Sequence, residues 1–117
     1  MKNKKATRYF SSTQEKKVAK AVCGVTTANS GATAFSKGDV KSDSWLYECK
    51  TKTTVSKSIS IQKEWLDKLE EERFAMGKQY CALCFDFGGN LRNNERYYIL
   101  NENTFKQFLK LQEENNE

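Results

Sequence analysis

The sequence contains no histidine. That absence removes Ser-His-Asp and Cys-His hydrolysis, histidine-dependent zinc chemistry and nucleases of the HNH type. Hydrolytic chemistry in this chain would have to run on carboxylates, lysine and a hard metal ion. Long apolar runs are missing too. None approaches the roughly 18 residues of a membrane span, and the basic opening MKNKKATRYF has no apolar stretch behind it. A soluble, unsecreted, cytoplasmic protein with no membrane partner is expected. A second C-x-x-C is also lacking. Cys81 and Cys84 are spaced as one, but YCALCFDF reads as a strand, where that spacing sends the two side chains to opposite faces. With Cys23 and Cys49 in unpaired contexts, the cysteines read as small core thiols of a reducing compartment, not as a zinc site or disulfides.

What is present is the composition of a folded chain: 38% hydrophobic, 12% aromatic and 30% charged over 117 residues, enough for one core and too little for two. A single domain over 1–117 is therefore expected, with residues 1–10 a basic flexible arm and 112–117 a frayed acidic tail. The net charge of +5 is unevenly spread. Residues 1–63 hold 13 Lys/Arg and 4 Asp/Glu, giving +9, and residues 64–117 hold 7 and 11, giving −4. A cationic half of this kind suits a polyanion, although a solvated basic surface would look the same.

Along the chain, SSTQEKKVAKAV predicts a helix over 13–23, capped by Ser12 or Thr13, with Val18, Ala19 and Val22 on one face. Glu15 would then lie in the first turn, where the helix dipole alone accounts for it. The Gly, Ser and Thr of GVTTANSGATAFSKGDV suggest a short strand and a loop into a second strand. DSWLYECKT is the clearest strand, with Trp45, Tyr47 and Cys49 on one face and Leu46, Glu48 and Lys50 on the other. SISIQKEWLDKLEEERFAMG predicts a helix capped at Ser58 or Ser60 and ended by Gly77, with Ile61, Trp65, Leu66, Leu69 and Met76 as its stripe. QYCALCFDF reads as a strand covered on both faces, RYYIL as another strand, and NENTFKQFLKLQEENN as a last helix turning Phe105, Phe108, Leu109 and Leu111 toward the core. Helix, three strands, helix, two strands and helix make an α/β protein, a mixed sheet of about five strands with helices on its faces.

Chemistry concentrates around Glu48 and Lys50. Strand alternation sets a carboxylate and an ammonium side by side, roughly 6–7 Å apart along the chain. Asp39 sits across the turn VKSDS, where hairpin pairing can bring it to Glu48. Two carboxylates that close repel unless a cation lies between them. Lys50 supplies one positive charge, and Mg²⁺, or Mn²⁺, would supply the rest.

This pattern, GD-x8-E-C-K behind a helix bearing Glu15 and an NSGA loop, resembles the PD-(D/E)XK nuclease superfamily, and within it the archaeal and phage Holliday-junction resolvases. The likeness spans about residues 13–100, with Gly38 standing where the motif name has proline. It implies a restriction-endonuclease-like mixed sheet and a homodimer that cuts four-way DNA junctions. Asp39 and Glu48 would bind the metal with the backbone carbonyl of Cys49, Glu15 would complete the site directly or through water, and Lys50 would be the motif lysine. Ser30 would lie near the scissile phosphate, Gln62 or Lys63 would be an accessory polar residue, and Lys37, Lys41, Lys52, Lys57 and Lys63, with Lys2, Lys4, Lys5 and Arg8 of the arm, would meet phosphates. The same motif serves nucleases of other branched or single-stranded DNA, and an idle DNA-binding member of the fold is the remaining alternative.

Overall fold

The computed structural model describes residues 4–27, 39–52, 54–88 and 95–115, and for residues 4–12 the backbone alone. Its elements follow the expected order: α1 (Lys4–Ala21), β1 (Val25–Thr26), β2 (Val40–Lys41), β3 (Trp45–Lys50), α2 (Lys63–Ala75), β4 (Tyr80–Phe85), β5 (Tyr97–Ile99) and α3 (Glu102–Asn115). The strands form one sheet in the order β1-β2-β3-β4-β5. β1, β2 and β3 are antiparallel neighbours, β5 is antiparallel to β4, and β4 runs parallel to β3. A parallel pair needs a crossover, and α2 supplies it. Among the described residues no helix is long and apolar enough to cross a membrane.

Alternation along β3 and β4 divides the core. On one face Val18 and Ala19 of α1 meet Val40, Tyr47, Ala82 and Cys84, with Val22, Trp45 and Cys49 packed around them. On the other face Leu46, Cys81 and Leu83 meet Leu69 of α2, flanked by Ile61, Trp65, Leu66 and Met76. Cys81 and Cys84 thus do face opposite ways, as period-two geometry requires. All four cysteines are free. β4 is buried at Cys81, Ala82, Leu83 and Cys84, as a strand covered on both faces should be, and truncating Leu46 or Leu83 would cost about 2–5 kcal/mol.

Three boundaries and one buried face differ from expectation. α1 begins at Lys4 and not near residue 13, so residues 4–10 are helical and not a loose arm. Ala, Lys and Arg are good helix formers, and neither Gly nor Pro interrupts 4–21. The helix ends where Cys23 adopts φ 56°, followed by Gly24, where a Cβ would stand 2.6 Å from the Lys41 carbonyl oxygen and clash. α2 is capped at Gln62, with no side-chain bond, instead of at Ser58 or Ser60, and Gly77 at φ 68° follows its end. Residues 112–115 stay helical within α3. Finally, Phe105, Phe108, Leu109 and Leu111 are exposed. Their stripe is amphipathic, and it meets the sheet at Phe108, which stacks on Trp45 and tilts against Tyr80, each with ring centroids 5.7 Å away.

Candidate functional site

Antiparallel pairing of Val40 with Tyr47 and Lys41 with Leu46 puts Asp39 opposite Glu48, one step past the end of β2. There the ladder is completed by a side chain. The Asp39 N–H donates to the Tyr47 carbonyl at 2.9 Å, the Asp39 carbonyl accepts from Thr27 N–H at 3.1 Å, and Asp39 Oδ2 accepts from Cys49 N–H at 2.8 Å. The carboxylate therefore lies at the end of β2, between β1 and β3. Glu15 reaches it from α1 and Glu48 from β3, each within hydrogen-bonding reach of the Asp39 side chain.

Both pay electrostatically for that approach. The Glu15 carboxyl is pushed up to about 7, first by burial and then by the charge of Asp39 and its hydrogen bond. Glu48 is likewise pushed up to about 7, by burial, then by Asp39 and also Glu72, against the opposing pull of Lys50. Because α1 starts at Lys4, Glu15 lies well inside the helix and not in its first turn. The dipole of the helix N-terminus, which falls off within a turn, does not explain it.

Lys50 stands on the Glu48 side. Its Nζ is 3.6 Å from Glu48 Oε1 and 4.4 Å from the centroid of the Trp65 ring. Held between a carboxylate and an aromatic face, the ammonium borders an open cleft of about 450 Å³ lined also by Glu64, Lys68, Leu69 and Glu72. Behind it, Gln14 is 3% exposed, and its Nε2 donates to the Lys50 carbonyl at 2.7 Å and to Asp86 Oδ2 at 2.9 Å. Asp86 Oδ1 accepts from Thr51 Oγ1 at 2.5 Å and from Gly88 N–H at 2.9 Å. This polar clamp ties α1 to the ends of β3 and β4 and fixes the register in which Glu15 meets Asp39.

The thiol of Cys49, on the opposite face from Glu48, is hydrogen-bonded to that of Cys84, its parallel neighbour in register. That bond, with burial, holds Cys49 above the ordinary thiol range, and the same bond draws Cys84 below it. At the backbone it is the N–H of Cys49, which the sequence did not single out, that engages the cluster.

Glu15, Asp39, Glu48 and Lys50 are brought together. Other candidates are not. Lys41 lies toward the turn end of the hairpin, in a second hollow with Cys23, Asp43, Trp45, Lys78 and Tyr80. Lys63 is 85% exposed at its side chain and paired with Asp67 at 2.9 Å, and Gln62 is an exposed cap residue. Lys52 is half-buried just past Lys50, and Lys57 is exposed in the segment before α2. Ser30, Lys37 and Lys2 lie outside the described residues, as do the side chains of Lys4, Lys5 and Arg8. Comparison with protein-family models, curated proteins and solved structures finds no match.

Among the described residues, no group of three or more His, Cys, Asp and Glu side chains is arranged to hold a metal ion. The carboxylates form a chain, Glu15 to Asp39 to Glu48, and not a closed cage. Such a chain still fits Mg²⁺, which binds through one or two carboxylates and keeps its waters. It fits zinc poorly, since the nearby thiol of Cys49 is turned to the other face and no imidazole exists. Glu72, Gln14 and Asp86 escaped the sequence reading, and Trp65 was read as core stripe alone. Glu72 and Lys68 follow Trp65 at helical spacing, which could have marked them as neighbours of the site. Nothing in the sequence distinguishes Gln14 from any other helical glutamine.

Proposed function

We propose that the chain is a divalent-metal-dependent DNA endonuclease of restriction-endonuclease-like fold, acting on four-way junctions as a homodimer. The observation that carries this reading is the convergence of Glu15, Asp39 and Glu48 from three separate elements, with Lys50 beside them and two of the carboxyls pushed up to about 7. Half-buried carboxylates crowded in this way are what a site that binds a cation needs. The meander β1-β2-β3 followed through α2 by the parallel β4 also supports the likeness drawn from GD-x8-E-C-K.

Asp39 and Glu48 would hold magnesium, with Glu15 completing the set. Bound there, it would polarise a phosphoryl oxygen and acidify a water. The remaining work falls to the chain. Asp39 is oriented by Cys49 N–H and cannot swing away without breaking the ladder at the end of β2. Lys50 is aimed along the carboxylates by Trp65 and offers its ammonium to the negative charge that grows on the phosphate in the transition state. The open cleft beside Lys50 gives a sugar-phosphate link access from solvent. The basic excess of residues 1–63 draws the polyanion, so binding should weaken steeply with salt.

The test is cleavage of a synthetic mobile four-way junction with Mg²⁺ present or chelated, beside a flap and a linear duplex. Paired symmetrical nicks in the junction are expected. Asp39→Asn and Glu48→Gln should bind the junction and fail to cut it, and wild-type turnover by either would end the assignment. Cleavage of flaps in preference to junctions would move the substrate to other branched DNA, and metal-independent binding without cleavage of any substrate would leave a DNA-binding protein.

A further inference from the structure

The last helix is far more apolar than its surroundings require. α3 has 14 residues, a length at which an isolated helix is marginal in water, so it needs packing that the chain only partly supplies. Its N-terminus is tied down: Asn101 Oδ1 accepts from Thr104 N–H at 2.8 Å, and Asn101 Nδ2 donates to Glu70 Oε1 of α2 at 2.8 Å. Thr104 is buried and Phe108 leans on Trp45 and Tyr80. Beyond that shoulder, Phe105 remains 53% exposed, Leu109 41% and Leu111 48%. Phe105 and Leu109, four residues apart, form one ridge.

The charges beside this ridge limit what can cover it. α3 carries Lys106 and Lys110 against Glu102, Glu113 and Glu114. Nucleic acid and anionic lipid would be repelled by that balance, and neither offers an apolar face to fit a Phe-Leu ridge flanked by acids. Lys106 and Glu113 are seven residues apart, hence two turns along the same flank. When two such helices cross antiparallel, the same flank of each comes together, so Lys106 of one falls beside Glu113 of the other, twice by symmetry. A parallel pair would turn that flank against the opposite side of the partner helix, where Thr104 and Phe108 carry no charge. The surface is complementary to itself in one orientation only.

We infer that α3 is the contact between two copies of this chain, docked antiparallel about a two-fold axis near Leu109 and Lys110, with Lys106 of each copy paired to Glu113 of the other. Phe105 and Leu109 of the two copies interdigitate along the ridge. A helix of this length offers about 21 Å of contact, and the area buried lies near the lower end for specific interfaces, about 1,000 Å². The dimer should therefore be of roughly micromolar strength. It leaves the carboxylates open, because Trp45, beneath Phe108, lies at the other end of β3 from Lys50, about 16 Å away at strand rise.

The test is sedimentation velocity on the full chain, without DNA or metal, from about 1 to about 200 µM. The wild type should pass from monomer to dimer within that range. Leu109→Glu should stay monomeric throughout, with its fold checked by circular dichroism. Lys106→Glu should weaken the dimer about tenfold or more, and Lys106→Glu with Glu113→Lys should restore it to within about threefold. A monomeric wild type overturns the proposal, as does a dimer indifferent to Leu109→Glu and Lys106→Glu. Failure of the double variant to recover overturns the antiparallel pairing. None of these readings involves cleavage, so the outcome is separate from that of the nuclease assay.

Discussion

β3 has two unlike ends. At Trp45 the neighbours are rings: Tyr47 stacks at 5.6 Å, Tyr80 tilts in at 5.0 Å and Phe108 stacks at 5.7 Å. At Glu48 and Lys50 they are Asp39, Glu15, Gln14 and Asp86, linked by hydrogen bonds and crowded charge. The first end gains stability from apolar contact. The second gives some up, since two carboxyls held near 7 bind protons more tightly folded than unfolded. One strand thus joins a region held by packing to a region of crowded carboxyls, whose cost the proposed metal would relieve.

That contrast can be broken first by chemistry. Glu48→Gln should lower junction cleavage by about 10³-fold or more, measured in single-turnover assays, yet leave the melting temperature at pH 8 equal to or above that of the wild type. A parallel loss of stability would show that Glu48 is structural. At the aromatic end the order reverses. Trp45→Ala should cost about 3–5 kcal/mol in urea unfolding, with the cleavage rate of the remaining folded protein little changed.

Gln14→Leu, which removes both clamp hydrogen bonds, should cost about 1–3 kcal/mol and also lower cleavage by loosening Glu15. Gln14→Glu would add a charge beside Asp86 and fare worse. Trp65 offers a finer cut. Trp65→Phe keeps an aromatic face for Lys50 and should retain most activity, whereas Trp65→Leu should lower kcat about tenfold with a smaller effect on KM. Equal activity of the two variants would remove Trp65 from the account.

The smallest expected effect is on pH. Glu15 and Glu48 have folded values raised to about 7 from 4.5, so the folded chain holds more protons than the unfolded between those values, and stability falls as pH rises through them. The melting temperature in chelator should drop by about a few degrees between pH 5 and pH 8. Magnesium should recover the loss at pH 8 and do little at pH 5, where protons already fill the site. A flat profile, or equal stabilisation at both values, would separate these carboxyls from metal.

Much of this was legible in the chain because it depends on local repeat. The alternation in DSWLYECKT placed Glu48 and Lys50 on one face, and the turn between Asp39 and Trp45 put Asp39 opposite Glu48. The stripe of α2 and the buried run of β4 followed from the same periods. The start of α1 was misread, since a basic segment with no breaker looks equally like an arm or a helix. The α3 stripe was recognised as apolar but assigned whole to the core, whereas Phe105, Leu109 and Leu111 stay exposed.

By itself, then, the sequence determined the element order, the faces of β3 and β4 and the types of side chain able to act, because backbone periods of 2 and 3.6 are local properties. Only the tertiary structure decided that Glu15 belongs with Asp39, that Gln14 and Asp86 hold it there, that Trp65 receives Lys50 and that α3 keeps an uncovered ridge. Those relations join residues far apart in the chain, and they are set by where β2 stops and by how each helix crosses the sheet, which no local pattern encodes.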